Sequence, residues 1–308
     1  MISIAAYAIN VNKRLKAGNV DIDGFQGLDL QDIIIKFLKR SKTSAANLLE
    51  DKVLFRTKSI SVDGRTITGL LEKGDYGYSA DGVDVKTQKK TYERKKTDAE
   101  LIPFYYLIYV PKKSQTGILL LQRFGSIGLF SSFQAEFKAD FLIQAKDYVI
   151  NFEPLILKSM VEDMEKSKKA RKIKFRKYDI PTDIANAFSG AINSDEAYIE
   201  YSIVAKRNKS LSNVMSKLTG GGNRVSIMSA VGFEADEMLM EVSLNGRKRT
   251  MNLGHPGLLR AYYDITDDVA IDGDTGHPTQ KSLEVAFEAL RNDLWKAIKG
   301  DGLVSKDE

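Results

Sequence analysis

Apolar residues recur along this chain at two periods. Every second position marks strands; every third or fourth marks helices. Residues 2–12 read as a strand, with Ile2, Ile4, Ala6, Ile9 and Val11 among the apolar positions. After a glycine-rich loop, Asp29 is placed to cap a helix in which Leu30, Ile33, Ile34, Phe37 and Leu38 form one apolar stripe. The runs VLFRTKSISV and RTITGLLEK flank Asp63-Gly64, a dipeptide that supplies the positive φ of a tight hairpin turn. The runs PFYYLIYV and GILLLQRF are apolar at nearly every position and are joined by PKKSQT. They predict adjacent antiparallel strands in the middle of a sheet, covered on both faces. Gly125 and Gly128 close the second run, and Leu129, Phe133, Phe137 and Phe141 follow at four-residue spacing as the core stripe of a docked helix.

The second half is more polar. YVINFE reads as a short strand, and a helix is predicted through PLILKSMVEDMEKSKK, with Pro154 at its start. RKIKFRKYDI and EAYIEYSIVAKRN read as strands, SLSNVMSKL as a helix, and Asn245-Gly246 as the tip of a hairpin. The strand LLRAYYDI and a last helix from Pro278-Thr279 to Gly300 complete the chain; Leu283, Phe287, Leu290, Leu294 and Ile298 lie on that helix's inner face. Hairpins dominate and regular βαβ alternation is missing. The expected class is α+β, with mainly antiparallel sheets and helices packed on their faces. A boundary at 145–155 would divide an N-terminal unit, 1–150, from a C-terminal unit, 151–308. Residues 74–98 have few apolar side chains and are expected to form a long mobile loop.

Composition narrows the chemistry. With no cysteine in 308 residues, disulfides, thiolate metal sites and thiol nucleophiles are excluded. No apolar run approaches the roughly 20 residues needed to span a bilayer. The apolar N-terminus has no preceding basic residue of the kind that opens a signal peptide. These features predict a cytoplasmic protein without a membrane partner.

Charge is unevenly placed. Residues 166–260 hold 17 Lys and Arg against 9 Asp and Glu, whereas residues 261–308 hold 5 against 11. The densest run is Lys166 to Lys177, in which eight of twelve residues are basic. On a strand, Lys172, Lys174 and Arg176 share one face, at a spacing that follows successive phosphates. Together with Lys168, Arg171, Lys206, Arg207 and the hairpin residues Arg247, Lys248 and Arg249, they are the candidate contacts to nucleic acid, DNA above RNA. The other reading of the run is an edge strand guarded by lysines. The functional expectation is a nucleic-acid-binding protein without strong sequence readout, in the style of an accessory or sensor subunit of a bacterial phage-defence assembly. An adaptor for an acidic protein partner, or a homo-oligomer, is the alternative without nucleic acid.

A catalytic alternative exists. Asp84, Glu93 and Lys95 offer an acid followed by Glu-x-Lys, the residue types with which a nuclease holds Mg²⁺ beside a scissile phosphate. The surrounding KTYERKK has no apolar flank to bury in a sheet. Asp264, Asp267, Asp268, Asp272 and Asp274 are oxygen donors for a hard cation, but they lack calcium-loop spacing. No resident cofactor is expected, and Mg²⁺ enters only with the nuclease reading. Gly125-Ser126-Ile127-Gly128 lies between a strand and a helix, where backbone N–H groups can meet an anion, but the lysine of a phosphate loop is missing.

Overall fold

The computed structural model describes residues 2–15, 18–43, 46–48, 52–125, 127–155, 172–177, 199–206, 211, 237–244, 247–252 and 262–301. It is an α+β protein with mostly antiparallel sheets, and it divides into two compact units. One unit comprises residues 7–153 and 278–287; the other comprises 1–6, 154–277 and 288–308.

The first of these units is built around strands β1 (Ile2–Lys13, from Tyr7 on), β2 (Ala46–Leu48), β3 (Val53–Asp63), β4 (Thr66–Asp75), β7 (Ile102–Tyr109), β8 (Thr116–Phe124) and β9 (Tyr148–Pro154). They run in the order β1-β8-β7-β4-β3-β2, with β9 also on β1. β7 and β8 pair antiparallel through Tyr106↔Leu121 and Ile108↔Leu119, and each has a second strand on its other side. Phe104 to Ile108 and Ile118 to Leu121 are all buried. The two most apolar runs are therefore central strands, as their patterns predict. Tyr106 is pushed above its ordinary pKa by burial; its hydroxyl donates to the Ser59 carbonyl at 3.2 Å.

Helices α1 (Leu30–Thr43) and α2 (Phe130–Gln144) cover this sheet. The Asp29 Oδ1 atom accepts the Gln31 N–H at 2.8 Å, so the predicted cap is formed. The α1 stripe of Leu30, Ile33, Ile34, Phe37 and Leu38 is buried, as are Phe133, Phe137 and Phe141 of α2. Phe37 meets Phe137 at 5.1 Å between ring centroids, and Phe133 meets Phe152 of β9 at 6.0 Å. These are edge-on and tilted packings, typical of an aromatic core.

The β3–β4 turn falls one residue later than the sequence suggests. Asp63 pairs with Thr66, so Gly64 and Arg65 form the turn, with Gly64 at φ +54°. The shift gives the positive φ to the residue that accepts it without steric cost. It also frees Arg65 to clamp the helix cap: its Nη1 and Nη2 donate to Asp29 at 2.7 and 3.0 Å.

The other unit holds β10 (Lys172–Lys177), β11 (Ile199–Val204), β12 (Glu237–Leu244), β13 (Arg247–Asn252) and β14 (Tyr262–Asp264). They run β11-β10-β12-β13-β14, and Ser3 to Ala5 of β1 pair with β14. Leu244 pairs with Arg247, which leaves two residues at the hairpin tip; Asn245 and Gly246 themselves lie outside the described residues. The predicted helices through 154–169 and 210–218 also lie there, apart from Leu155, Leu211 and Pro154, which ends strand β9 and does not start a helix. Helix α3 (Gln280–Asp301) divides between the units at Phe287. Leu283, Phe287, Leu290 and Leu294 are buried along its inner face.

Residues 74–98 are not a featureless loop. Asp75 ends β4, and β5 (Ala80–Val83) and β6 (Lys90–Arg94) pair with each other as a separate two-stranded ribbon. Too few of its side chains are apolar for periodicity to reveal it.

Candidate nucleic-acid interface

The strand β10 presents the alternation expected of it. Ile173 and Phe175 are fully buried on one face, and Lys172, Lys174 and Arg176 point to the other. Two features differ from the sequence picture. First, β10 is an interior strand with β11 and β12 on its two sides, so it is not an edge guarded by lysines. Second, an acid reaches the cationic face from the neighbouring strand. The register sets Arg176 opposite Glu200 and Lys174 opposite Ser202. Arg176 Nε lies 3.0 Å from Glu200 Oε2, and Lys174 Nζ lies 3.5 Å from Oε1. The Ser202 hydroxyl donates to Glu200 Oε1 at 3.3 Å. On the other side, Glu237 of β12 stands opposite Arg176 in the register.

Burial works against the charged Glu200, but the hydrogen bond from Arg176 and the charges of Lys174 and Arg176 outweigh it. Its pKa is held below the ordinary carboxylate value. Only 10% of the Arg176 side chain and 19% of the Lys174 side chain are accessible. These two cations are held in a half-buried network. Lys172 is the one member of the trio that no acid among the described residues engages. Lys206 follows β11 and is exposed. Arg247, Lys248 and Arg249 occupy successive positions of β13, opposite Leu244, Ser243 and Val242. Lys168, Arg171 and Arg207 lie outside the described residues.

The first-named unit repeats this device. Glu72 is 5% exposed and binds Arg56 Nε at 2.7 Å and Lys58 Nζ at 2.9 Å. Burial again opposes its charge, and the hydrogen bonds from Lys58 and Arg56 win, so its pKa is lowered.

The nuclease candidates are not gathered. Asp84 shapes the ribbon's turn: its Oδ1 accepts the N–H groups of Thr87 at 2.7 Å and Lys86 at 3.1 Å. The Thr87 backbone N–H and hydroxyl, then the Lys86 N–H, lower its pKa. Glu93 stands opposite Asp81 instead, three strand positions from Asp84, or about 10 Å of strand rise. It shares Lys90 with Asp81, at 2.7 Å to each carboxylate. Lys95 is exposed beyond the end of β6.

The acidic stretch is similarly committed to local turns. Asp264 accepts from the Thr266 N–H at 2.9 Å and its hydroxyl at 2.6 Å. Asp272 Oδ1 accepts from the Thr275 N–H and hydroxyl, both at 2.8 Å, and from the Asp274 N–H at 3.2 Å. The Thr275 backbone and hydroxyl contribute most to lowering its pKa. Asp267, Asp268 and Asp274 are exposed. Among the described residues, no group of three or more His, Asp or Glu side chains is arranged to hold a metal ion. At Gly125–Gly128, Phe124 and Ile127 exchange both backbone hydrogen bonds, so the Ile127 N–H is spent within the turn.

Two side chains that organise these charges have no sequence signal. Glu200 carries an ordinary pattern within its own strand, and only the pairing of β11 with β10 reveals its role. Arg94 looks like one more loop cation, yet it is 2% exposed. Its Nε donates to the Asp98 carbonyl at 3.1 Å, Nη2 donates to the Asp75 carbonyl, and its guanidinium lies 4.3 Å over the Tyr78 ring.

These observations define an α+β protein in which, among the described residues, Arg56, Lys58, Lys174 and Arg176 are paired with acids inside the sheets, while Lys172 and the ribbon lysines Lys86 and Lys89 have no ion-pair partner. No known protein-family model matches the chain, and no curated protein matches it. Among the described residues, no helix is long and apolar enough to cross a membrane.

Proposed function

We propose that this protein binds nucleic acid through its phosphate backbone, with little sequence readout. The observation that carries the reading is a set of lysines with no ion-pair partner among the described residues: Lys86, Lys89, Lys95, Lys96, Lys172 and Lys206. Five of them, all but Lys172, are exposed. Cations free of local carboxylates release counterions from a phosphate backbone, and that release is sequence-independent. Lys174 and Arg176 share the face of β10 that carries Lys172 but are paired with Glu200, so they contribute less than their number suggests.

A salt titration of binding to a mixed-sequence DNA duplex and to a single strand tests the reading. Wild-type binding is expected to weaken steeply with salt. Glu200→Gln removes the counter-charge of two cations and is expected to tighten binding and steepen the log–log slope by about 0.9, one phosphate equivalent. The duplex is expected to stay intact in Mg²⁺. Cleavage abolished by a chelator would favour the metal-dependent nuclease instead. Absence of salt-sensitive binding to either form would overturn the proposal and leave an acidic protein partner as the leading alternative.

A further inference from the structure

The β5–β6 ribbon differs from every other strand pair described. Among the described residues its strands pair only with each other, and every residue from Ala80 to Glu93 except Gly82 is exposed. A bare two-stranded hairpin is marginal in water. This one is fixed at both ends. At the base, buried Arg94 ties β6 to the Asp75 and Asp98 carbonyls and to Glu100 at 3.3 Å. The Gly77 N–H donates to the Lys96 carbonyl at 2.8 Å, and the Lys95 N–H donates to Asp98 Oδ2 at 2.9 Å. At the tip, Asp84 Oδ1 accepts the Thr87 and Lys86 N–H groups, the Gln88 N–H donates to the Asp84 carbonyl at 2.8 Å, and the Asp84 N–H donates to the Lys89 carbonyl at 3.0 Å.

The charges are sorted along the ribbon. Midway, Asp81 and Glu93 are both taken by Lys90, whose pKa they raise through hydrogen bonds, Asp81 foremost. At the tip, Lys86 and Lys89 have no such partner among the described residues, and Val85, next to Lys86, is 83% exposed. Among the described residues, the apolar side chain and the two cations at the apex of this ribbon have no partner in their own unit.

We propose that this ribbon enters the major groove of duplex DNA tip first, with Lys86 and Lys89 on phosphates at the groove walls and Val85 toward the base edges. The proposal rests on the nucleic-acid reading above and adds the element and the form of nucleic acid. The B-form major groove, about 12 Å wide, admits a two-stranded ribbon; the major groove of A-form RNA is too narrow and deep. A single strand offers no groove. An acidic protein surface would attract the same lysines but would not distinguish these forms.

Two measurements on the full chain test it. Gln88→Cys introduces the only cysteine in the sequence, so an environment-sensitive fluorophore there reports on the tip alone. Lys86→Ala with Lys89→Ala removes the two tip charges. The probe is expected to respond to a mixed-sequence DNA duplex and not to duplex RNA or polyglutamate. The double variant is expected to lose about 1.8 from the log–log salt slope on duplex DNA, 0.9 for each phosphate. Wild-type binding to duplex DNA with a silent probe and an unchanged slope in the double variant would overturn the ribbon's role and leave the general reading standing. An equal probe response to duplex RNA or polyglutamate would overturn the groove assignment. Absence of salt-sensitive binding by wild-type protein would overturn both.

Discussion

The β10 strand and the β5–β6 ribbon are both rich in lysine and arginine, yet the fold treats them in opposite ways. β10 lies inside a sheet, rooted by Ile173 and Phe175, and its Lys174 and Arg176 are closed onto Glu200. The ribbon's residues are exposed, and among the described residues no acid forms an ion pair with the side chains of Lys86 and Lys89 at its tip. The difference teaches that a run of cations in a sequence measures charge, not available charge. What decides availability is the neighbouring strand, which the local pattern does not name. In β10 the pleat that lines up three cations also lines up the acid opposite them.

The largest expected effect separates the two regions by stability. Phe175→Ala is expected to destabilise by about 3–5 kcal/mol, because the ring is fully buried. A loss below about 1 kcal/mol in chemical denaturation would show that β10 is not seated in a core. A middle-sized effect comes from the ion-pair network. Glu200→Gln is expected to cost about 1–2 kcal/mol at neutral pH, between the values for neutral and charged hydrogen bonds. The sign with pH follows from the lowered pKa values of Glu200 and Glu72. Both groups stabilise fully above the ordinary unfolded value of about 4.3, and that contribution is lost as pH falls through their lower folded-state values. The wild-type protein is therefore expected to lose stability below about pH 4 more steeply than Glu200→Gln. Parallel acid limbs for the two proteins would remove Glu200 from the account. The smallest effect is on the ribbon. Val83→Ala, at an exposed position, is expected to change stability by less than about 0.5 kcal/mol. A larger loss would mean that the ribbon packs against something.

Much of the fold was legible because burial leaves periodic traces. The stripe of α1, the phenylalanines of α2, the continuous apolar runs of β7 and β8 and the alternation of β10 all follow from one side of an element facing a core. The hairpin turn at Gly64-Arg65 lies one residue beyond the expected pair, since Asp63-Gly64 is itself a good turn pair and only the register distinguishes them. The β5–β6 ribbon leaves no periodic trace for a deeper reason. It is held by hydrogen bonds from Arg94 and by an aspartate turn rather than by buried apolar surface, and neither has a period. At the candidate site, the common face of Lys172, Lys174 and Arg176 was readable from pleating alone. The partner Glu200 was not, because strand pairing across more than twenty residues is a property of the whole sheet.

The most direct test of the distinction between free and paired cations is lysine labelling with an amine-reactive reagent, read by mass spectrometry with and without duplex DNA. Free protein is expected to label quickly at Lys86, Lys89 and Lys172 and slowly at Lys174. Added duplex is expected to protect Lys86, Lys89 and Lys172 and to leave Lys174 unchanged. Protection of Lys174 with no change at Lys86 and Lys89 would contradict the account, because it would place the phosphate contacts on the cations that the fold has already paired.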